Sequence, residues 1–389
     1  MPIVNRIAAA AAEHTLWRRD FHRHPELQYD VHRTAATVAE KLRSFGLDEV
    51  VTGVGQTGVV GVLHGRRGPG GRSVGMRADM DALPIREATG AEWSSTVPGK
   101  MHACGHDGHT TMLLGAAEYL AETRNFDGTA VFIFQPAEEG GAGAKAMIDD
   151  GLFERFPIDE VYGMHNHPGM PVGRFGMRSG PIMAAADVIG IRIEGRGSHA
   201  AEPHAGVDPV LAGAAIVQAL QQIASRNVDP LQSAVVSVTC FHAGEVDNVL
   251  PQVAELRGTV RTLDPAVRDA VEARLKAIIA GIAAAHGVAA EVSYRRGYPV
   301  TVNHGAETAL TAAIARRVAG DDKVDEAVPP MMGAEDFSYM LERRPGAFIL
   351  IGNGDSANLH HPAYDFDDAA LPYGASYWAT LVETALKAA

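Results

Sequence analysis

The sequence predicts an α/β protein in two parts: a sheet with helices on both faces, and a smaller α+β domain of ferredoxin-like order inserted into it. Three observations carry this. Strand-length apolar runs alternate with helical periods as far as residue 186. The order then changes to β-α-β-β-α-β over residues 187–296. The chain has 389 residues, enough for two separate cores. The expected organisation is therefore 1–186 and 297–389 as the two pieces of one domain, with 187–296 as the insertion.

Taken in order, residues 3–24 and 31–45 have the spacing of amphipathic helices, divided at Pro25. Residues 49–53, 59–64 and 73–80 read as strands separated by Gly-rich turns. A buried helix is expected from Thr110 through Leu120, then strand 129–134, helix 144–150 and strand 160–164. In the insertion, strands 187–194, 233–241, 253–263 and 288–294 alternate with helices 207–223 and 265–286. The last part is expected to hold helices 306–319, 334–342 and 368–388 around strand 347–351. No internal repeat is evident. The glycine-rich turn Gly65 to Gly71 has neither the following helix nor the Lys-Ser/Thr of a phosphate loop.

The densest chemistry lies in Met101-His102-Ala103-Cys104-Gly105-His106-Asp107-Gly108-His109. Thiolate, imidazole and carboxylate are the ligands that borderline divalent ions such as zinc accept. The stretch is expected on the turn that starts the helix beginning at Thr110. Glu138 and Glu139 follow an apolar strand, and Pro136 with Gly140-Gly141 suggests an irregular path that brings both to one place. Two such carboxylates divide labour naturally: one holds an ion, the other takes a proton from water. His165 and His167 close another strand, where one ligand and one bystander is the expected split. His360-His361-Pro362 follows strand 347–351, and Asp79 and Asp81 end strand 73–80. These aspartates could ligate, orient a histidine or cap the next segment. In the insertion, His199 sits in Gly195-Arg196-Gly197-Ser198-His199-Ala200-Ala201 and Asn248 in Val246-Asp247-Asn248-Val249-Leu250-Pro251; each alone is a turn residue. In sheets of this kind ligands gather where strands end.

Composition narrows the classes. Net charge is −13 with histidines neutral, which argues against a partner held through nucleic-acid phosphates. Only Cys104 and Cys240 are present, too few for a disulfide framework, so a reducing compartment is expected. No apolar run is long enough for a membrane span and the N-terminus lacks a signal-peptide layout. The expectation is a soluble cytoplasmic protein.

Together the segments resemble the M20 metallopeptidase family. More narrowly they resemble its amidohydrolase branch of hippurate hydrolases, N-acyl-amino-acid amidohydrolases and auxin-conjugate hydrolases. The resemblance lies in Met76 to Ile85, Met101 to Thr111, Phe134 to Gly141, Gly163-Met164-His165, Gly197-Ser198-His199-Ala200, Met332-Gly333-Ala334-Glu335-Asp336-Phe337 and Leu359-His360-His361-Pro362. It implies a mixed-sheet α/β/α metallopeptidase domain with a ferredoxin-like insertion. It also implies a pair of divalent metal ions (zinc, manganese, cobalt or nickel) held by Cys104, His106, Glu139, His165 and His360, with Glu138 as general base. His360 rather than His361 fits the branch pattern Leu-His-x-Pro. Where the wider family has His-x-Asp this chain has Arg77-Ala78-Asp79, which removes one histidine ligand and leaves Asp79 as support behind the ligands. The insertion is implied to form a homodimer or higher homo-oligomer. It would bring His199 and Asn248 to the substrate in the same or the partner subunit, with Arg261 as a carboxylate clamp or a structural arginine. The implied reaction is hydrolysis of small N-acyl-amino acids. A carboxypeptidase or dipeptidase, a thiol-nucleophile amidase and a non-catalytic binding protein on the same scaffold are the alternatives.

Overall fold

The computed structural model describes residues 3–68, 70–156 and 158–387. The chain divides into two compact units: Met1–Gly180 with Val302–Pro329 and Asp336–Ala389, and Pro181–Thr301 with Pro330–Glu335.

The first unit opens with α1 (Asn5–Ala9), α2 (Ala11–Arg23) and α3 (His32–Ser44). The single helix expected over 3–24 is thus two. The Ala10 N–H reaches the Arg6 and Ile7 carbonyls, at 3.2 and 3.1 Å, which tightens the last turn of α1. Strands β1 (Glu49–Val54), β2 (Gly58–His64) and β3 (Ser73–Asp79) follow, then α4 (His106–Thr123), β4 (Thr129–Gln135), β5 (Glu160–His167) and β6 (Phe175–Gly176). With Val324–Asp325 and Gly346–Gly352 they form one eight-stranded sheet. Its order is β1, β2, β4, β3, β5, Gly346–Gly352, β6, Val324–Asp325. The sheet is mixed: β3 is parallel to both β4 and β5, and β5 to Gly346–Gly352, while β1–β2 and β2–β4 are antiparallel.

Every residue of β3 and β4 is buried, as expected for central strands covered on both faces. Because β3, β4 and β5 are parallel, their C-terminal ends share one edge of the sheet. Register sets Asp79 beside Gln135 and Arg77 beside Gly163. That edge collects Asp81, Glu138 and His165, the last within β5 itself.

Three elements depart from expectation near this edge. Helix α4 begins at His106, inside the cluster, because Gly105 adopts φ 87° and turns the chain into the helix there. Strand β5 continues through His167. The helix expected over 334–342 is only Ser338–Leu341, because the Asp336 carboxylate is drawn out of any helix to accept from Arg77, Gln135 and the Ala144 N–H.

The second unit has four antiparallel strands in the order Ala234–Ala243, Val253–Thr262, Ala185–Glu194, Ala289–Arg296. Helices Pro209–Leu220 and Pro265–His286 complete the β-α-β-β-α-β chain order. Each helix starts with Pro after an Asp cap: Asp208 accepts from Val210 N and Leu211 N, Asp264 from Ala266 N and Val267 N. Strand Ala185–Glu194 alternates in burial. Its inward Ile189, Ile191 and Ile193 join Ile216, Leu256, Leu275 and Ile279 in a core of their own.

Candidate metal centre

The shared strand edge assembles the donors. Cys104 Sγ lies 3.4 Å from His165 Nε2, and His360 Nε2 lies 3.1 Å from a Glu139 carboxylate oxygen. Three triads interlock: Cys104–His106–His165, Cys104–Glu139–His360 and His106–Glu138–Glu139, the donor atoms of each within 4.8 Å of one another. Cys104, His106 and Glu139 each belong to two of these three triads, so six side chains converge on one locus. Cys104, His106, Glu138 and His165 are buried, while His360 stands at the exposed rim.

Hydrogen bonds aim the rings. His106 Nδ1 donates to the Asp81 carbonyl at 2.8 Å, and His165 Nδ1 to the Asn166 carbonyl at 2.7 Å. A carbonyl only accepts, so in both rings Nδ1 carries a proton, and it is Nε2 that presents a lone pair in the neutral ring. His106 Nε2 is buried without a hydrogen-bond partner. That orphaned nitrogen, in a pocket of sulfur, nitrogen and carboxylate donors, is what a bound divalent cation requires.

The surrounding carboxylates call for positive charge at this spot. Burial disfavours a charged His106, but Asp79, Asp81 and Glu139 outweigh it and push the ring up to about 10. Burial, reinforced by Glu139, Glu138 and Asp79, pushes the Cys104 thiol well above its ordinary range. Burial also opposes ionisation of Glu139, yet His360 and His106 hold its carboxyl below the usual value. A thiolate beside these carboxylates needs positive charge, which divalent ions supply. The residues present therefore fit such ions.

Asp79 lies behind the rings. Its Oδ1 accepts from His109 Nδ1 at 2.6 Å and its Oδ2 from Arg77 Nη1 at 2.7 Å. His109 Nε2 in turn accepts from the Asn166 N–H at 2.9 Å. Both His109 nitrogens are thereby engaged, which makes it a buttress between Asp79 and Asn166. Asn166 donates to the Cys104 carbonyl at 2.6 Å and accepts from Tyr364 Oη at 2.7 Å. Gly105 makes this possible: a Cβ there would stand 2.2 Å from Asn166 Nδ2 and 2.6 Å from Tyr364 Oη.

The Asp81 carboxylate accepts from Glu138 N at 3.0 Å and Glu139 N at 3.1 Å. The adjacent Ala137 and Ala142 both have positive φ, 54° and 57°. His360 too is left-handed, at φ 64°, and its N–H donates to the Ala103 carbonyl at 2.8 Å. Residues in that region cost of order 1–3 kcal/mol each and cluster at functional sites.

His199, Asn248 and Arg261 belong to the second unit. His199 and Asn248 are neighbours there: Ala200 N donates to the Asn248 carbonyl at 3.0 Å, and Val249 pairs with His199. His199 Nδ1 accepts from Ala201 N at 3.1 Å. Arg261 bonds within its own strand, to Thr259 Oγ1 and the Val260 carbonyl.

Sequence reasoning gives no role to Asn166 or Gln135, and it counts His109 among the ligand-type residues of the Met101 to His109 cluster. Asn166 could have been suspected from its place between two histidines at a strand end. Nothing in the local pattern marked His109 as a support instead of a ligand.

The family model for peptidase family M20/M25/M40 matches residues 75–384. The chain is 41% identical to the hippurate hydrolase of Campylobacter jejuni over 387 residues, covering all of both chains. The chain belongs to the M20/M25/M40 peptidase family. Its relatives place it in the amidohydrolase branch. The N-acetyl-L-cysteine deacetylase of Bacillus subtilis is 42% identical over 356 residues, 91% of this chain and 83% of that one. Among solved structures, the YXEP protein of Bacillus subtilis, described as a dinuclear metal-binding peptidase of the M20 family, has a TM-score of 0.85 at 35% identity. It covers 98% of this chain, which covers 99% of it. Metal-dependent hydrolysis of an amide bond follows from this membership and from a donor set that suits metal ions. Among the described residues no helix is long and apolar enough to cross a membrane.

Proposed function

We propose that this enzyme hydrolyses the amide bond of small, hippurate-like N-acyl-amino acids. In this reading Cys104, His106, Glu139, His165 and His360 hold two divalent metal ions and Glu138 is the general base. The observation that carries it is His106: Nδ1 tied to Asp81, Nε2 buried without a hydrogen-bond partner, and both glutamates beside it.

When bound, the two ions would supply Lewis acidity and bring the pKa of coordinated water down to about 7. Glu138, whose backbone is tied to Asp81, accepts the proton of the attacking water at its carboxylate and returns it to the leaving amine nitrogen. His199 donates to the carbonyl oxygen as charge builds there, the task of an oxyanion hole. Asn248 hydrogen-bonds the substrate, and Arg261 is the candidate clamp for its carboxylate. Asp79 keeps His109 and Arg77 in place beneath the ligands. Zinc, manganese, cobalt and nickel all suit this donor set. Assembly as a homodimer or higher homo-oligomer through the second unit, and a cytoplasmic setting, belong to the same reading.

The names of similar proteins support the substrate class, since the relatives include a hippurate hydrolase and an N-acetyl-L-cysteine deacetylase. The test is to strip the protein, add each metal, and offer N-benzoyl-, N-acetyl- and indoleacetyl-amino acids beside dipeptides. Faster turnover of an acyl-amino acid than of any dipeptide is expected. Preferential cleavage of dipeptides would instead make it a dipeptidase.

A further inference from the structure

The connection between α2 and α3 touches the candidate centre, and none of the chemistry above uses it. Pro25 keeps the residue before it out of helix, and Glu26 then locks the segment. The Glu26 carboxylate accepts from Arg33 N at 3.0 Å, Thr34 N at 2.8 Å and Thr34 Oγ1 at 2.9 Å, while its carbonyl accepts from Ala82 N at 2.7 Å. Tied at both places, the segment presents two donors to the glutamate turn. Tyr29 Oη donates to the Gly141 carbonyl at 2.7 Å, and Gln28 Nε2 donates to the Glu139 carbonyl. Gln28 is itself held at φ 53°, a left-handed conformation that a non-glycine residue adopts only when its surroundings impose it. Gly141 admits the contact: a Cβ there would stand 2.5 Å from Gln28 Oε1 and 2.7 Å from the Ala137 Cβ.

We propose that Gln28 and Tyr29 are positioning residues for the Glu138–Glu139 turn. The turn is gripped from two sides. Asp81 takes its N–H groups, and Gln28 and Tyr29 supply its carbonyls. Between them Glu139, at φ −69° and ψ 70°, and Gly140, at φ 81°, leave the helical path. A four-residue turn that leaves helical dihedrals at Glu139 and Gly140 is too short to be fixed by helical bonding alone. Loss of either donor lets it relax and carries the Glu138 carboxylate away from its working place. Displacement by about 1 Å costs on the order of 10²-fold in rate. The inference rests on reading Glu138 as the base and Glu139 as a ligand.

The test uses the metal-loaded full-length chain with Tyr29→Phe, which removes one oxygen, and Gln28→Met, which keeps length and removes the donor. The double variant should lose roughly 10–100-fold in kcat with KM changed less than about threefold and the melting midpoint unmoved. One of two metal equivalents, the one that Glu139 helps to hold, should pass to a chelator about tenfold faster, since the other keeps its cysteine and histidine ligands. Wild-type kcat with wild-type metal release would overturn the proposal. So would a fall of kcat, melting midpoint and both metal equivalents together, which marks a merely structural role. Glu138→Gln is measured alongside. If it retains turnover, the general-base reading fails and this inference with it. If it is inactive while the double variant behaves as wild type, only the inference fails.

Discussion

The imidazole Nδ1 of His106 lies 2.8 Å from the backbone carbonyl oxygen of Asp81, and the carboxylate of the same aspartate holds the N–H groups of Glu138 and Glu139. A single aspartate, two residues past the end of β3, thus sets the orientation of a candidate ligand and the backbone of a candidate base. Asp81→Ala should lower both metal affinity and kcat, whereas Asp81→Asn, which keeps one acceptor and the same main chain, should lose less. Metal titration and steady-state kinetics on the two variants check the ranking.

Glu138→Ala should keep its metal and lose on the order of 10²–10⁴ in turnover, the usual scale for removing general-base help. Elemental analysis and kinetics on one preparation decide it. Near-normal turnover would remove the residue from the mechanism.

Cys104→Ala and His106→Ala each remove a residue shared by two donor triads. Both should lose metal, and with it activity. Full occupancy by elemental analysis in either variant would contradict its assignment as a ligand.

Arg77→Met should destabilise the fold. The guanidinium is fully buried between Asp79 and Asp336, and its loss takes a buried cation away from both carboxylates. Removing one partner of a buried ion pair costs about 3–5 kcal/mol. The midpoint of denaturant unfolding measures it.

Stability should also report His22. Burial disfavours its charge, but Asp107, 2.8 Å away, and Glu87 raise the ring from 6.5 to about 9. A raised pKa means the folded state holds the proton more tightly. Its contribution is therefore complete below 6.5 and lost as pH climbs through about 9. The melting-midpoint gap between wild type and His22→Gln should be widest near pH 6 and close by about pH 9.5. A gap that does not change with pH would contradict the charged pair.

How much of this could be read beforehand differs by element. The central strands were legible because Thr129 to Phe134 is a short apolar run and Ser73 to Met80 a strand-length stretch that follows a Gly-rich turn. The Cys104–His106 cluster stood out by density of donor atoms. The start of α4 was not legible, because a polar string of histidines and glycines carries no helical period; Gly105 and the packing of Tyr364 decide it. Alanine at φ 54° and 57° beside the glutamates is likewise invisible in sequence, since propensity argues against it and only Asp81, Gln28 and Tyr29 impose it. The split of Asp336 from its expected helix had the same origin: a long-range bond to Arg77, 259 residues away, outweighed local preference.

The central claim is best tested by anomalous diffraction from crystals grown with zinc or manganese. The account predicts two peaks roughly 3.5–4 Å apart, with Cys104 Sγ, Nε2 of His106, His165 and His360, and the Glu139 carboxylate as their protein ligands. Absence of a paired peak there, or a pair that excludes Cys104 and His106, would contradict it.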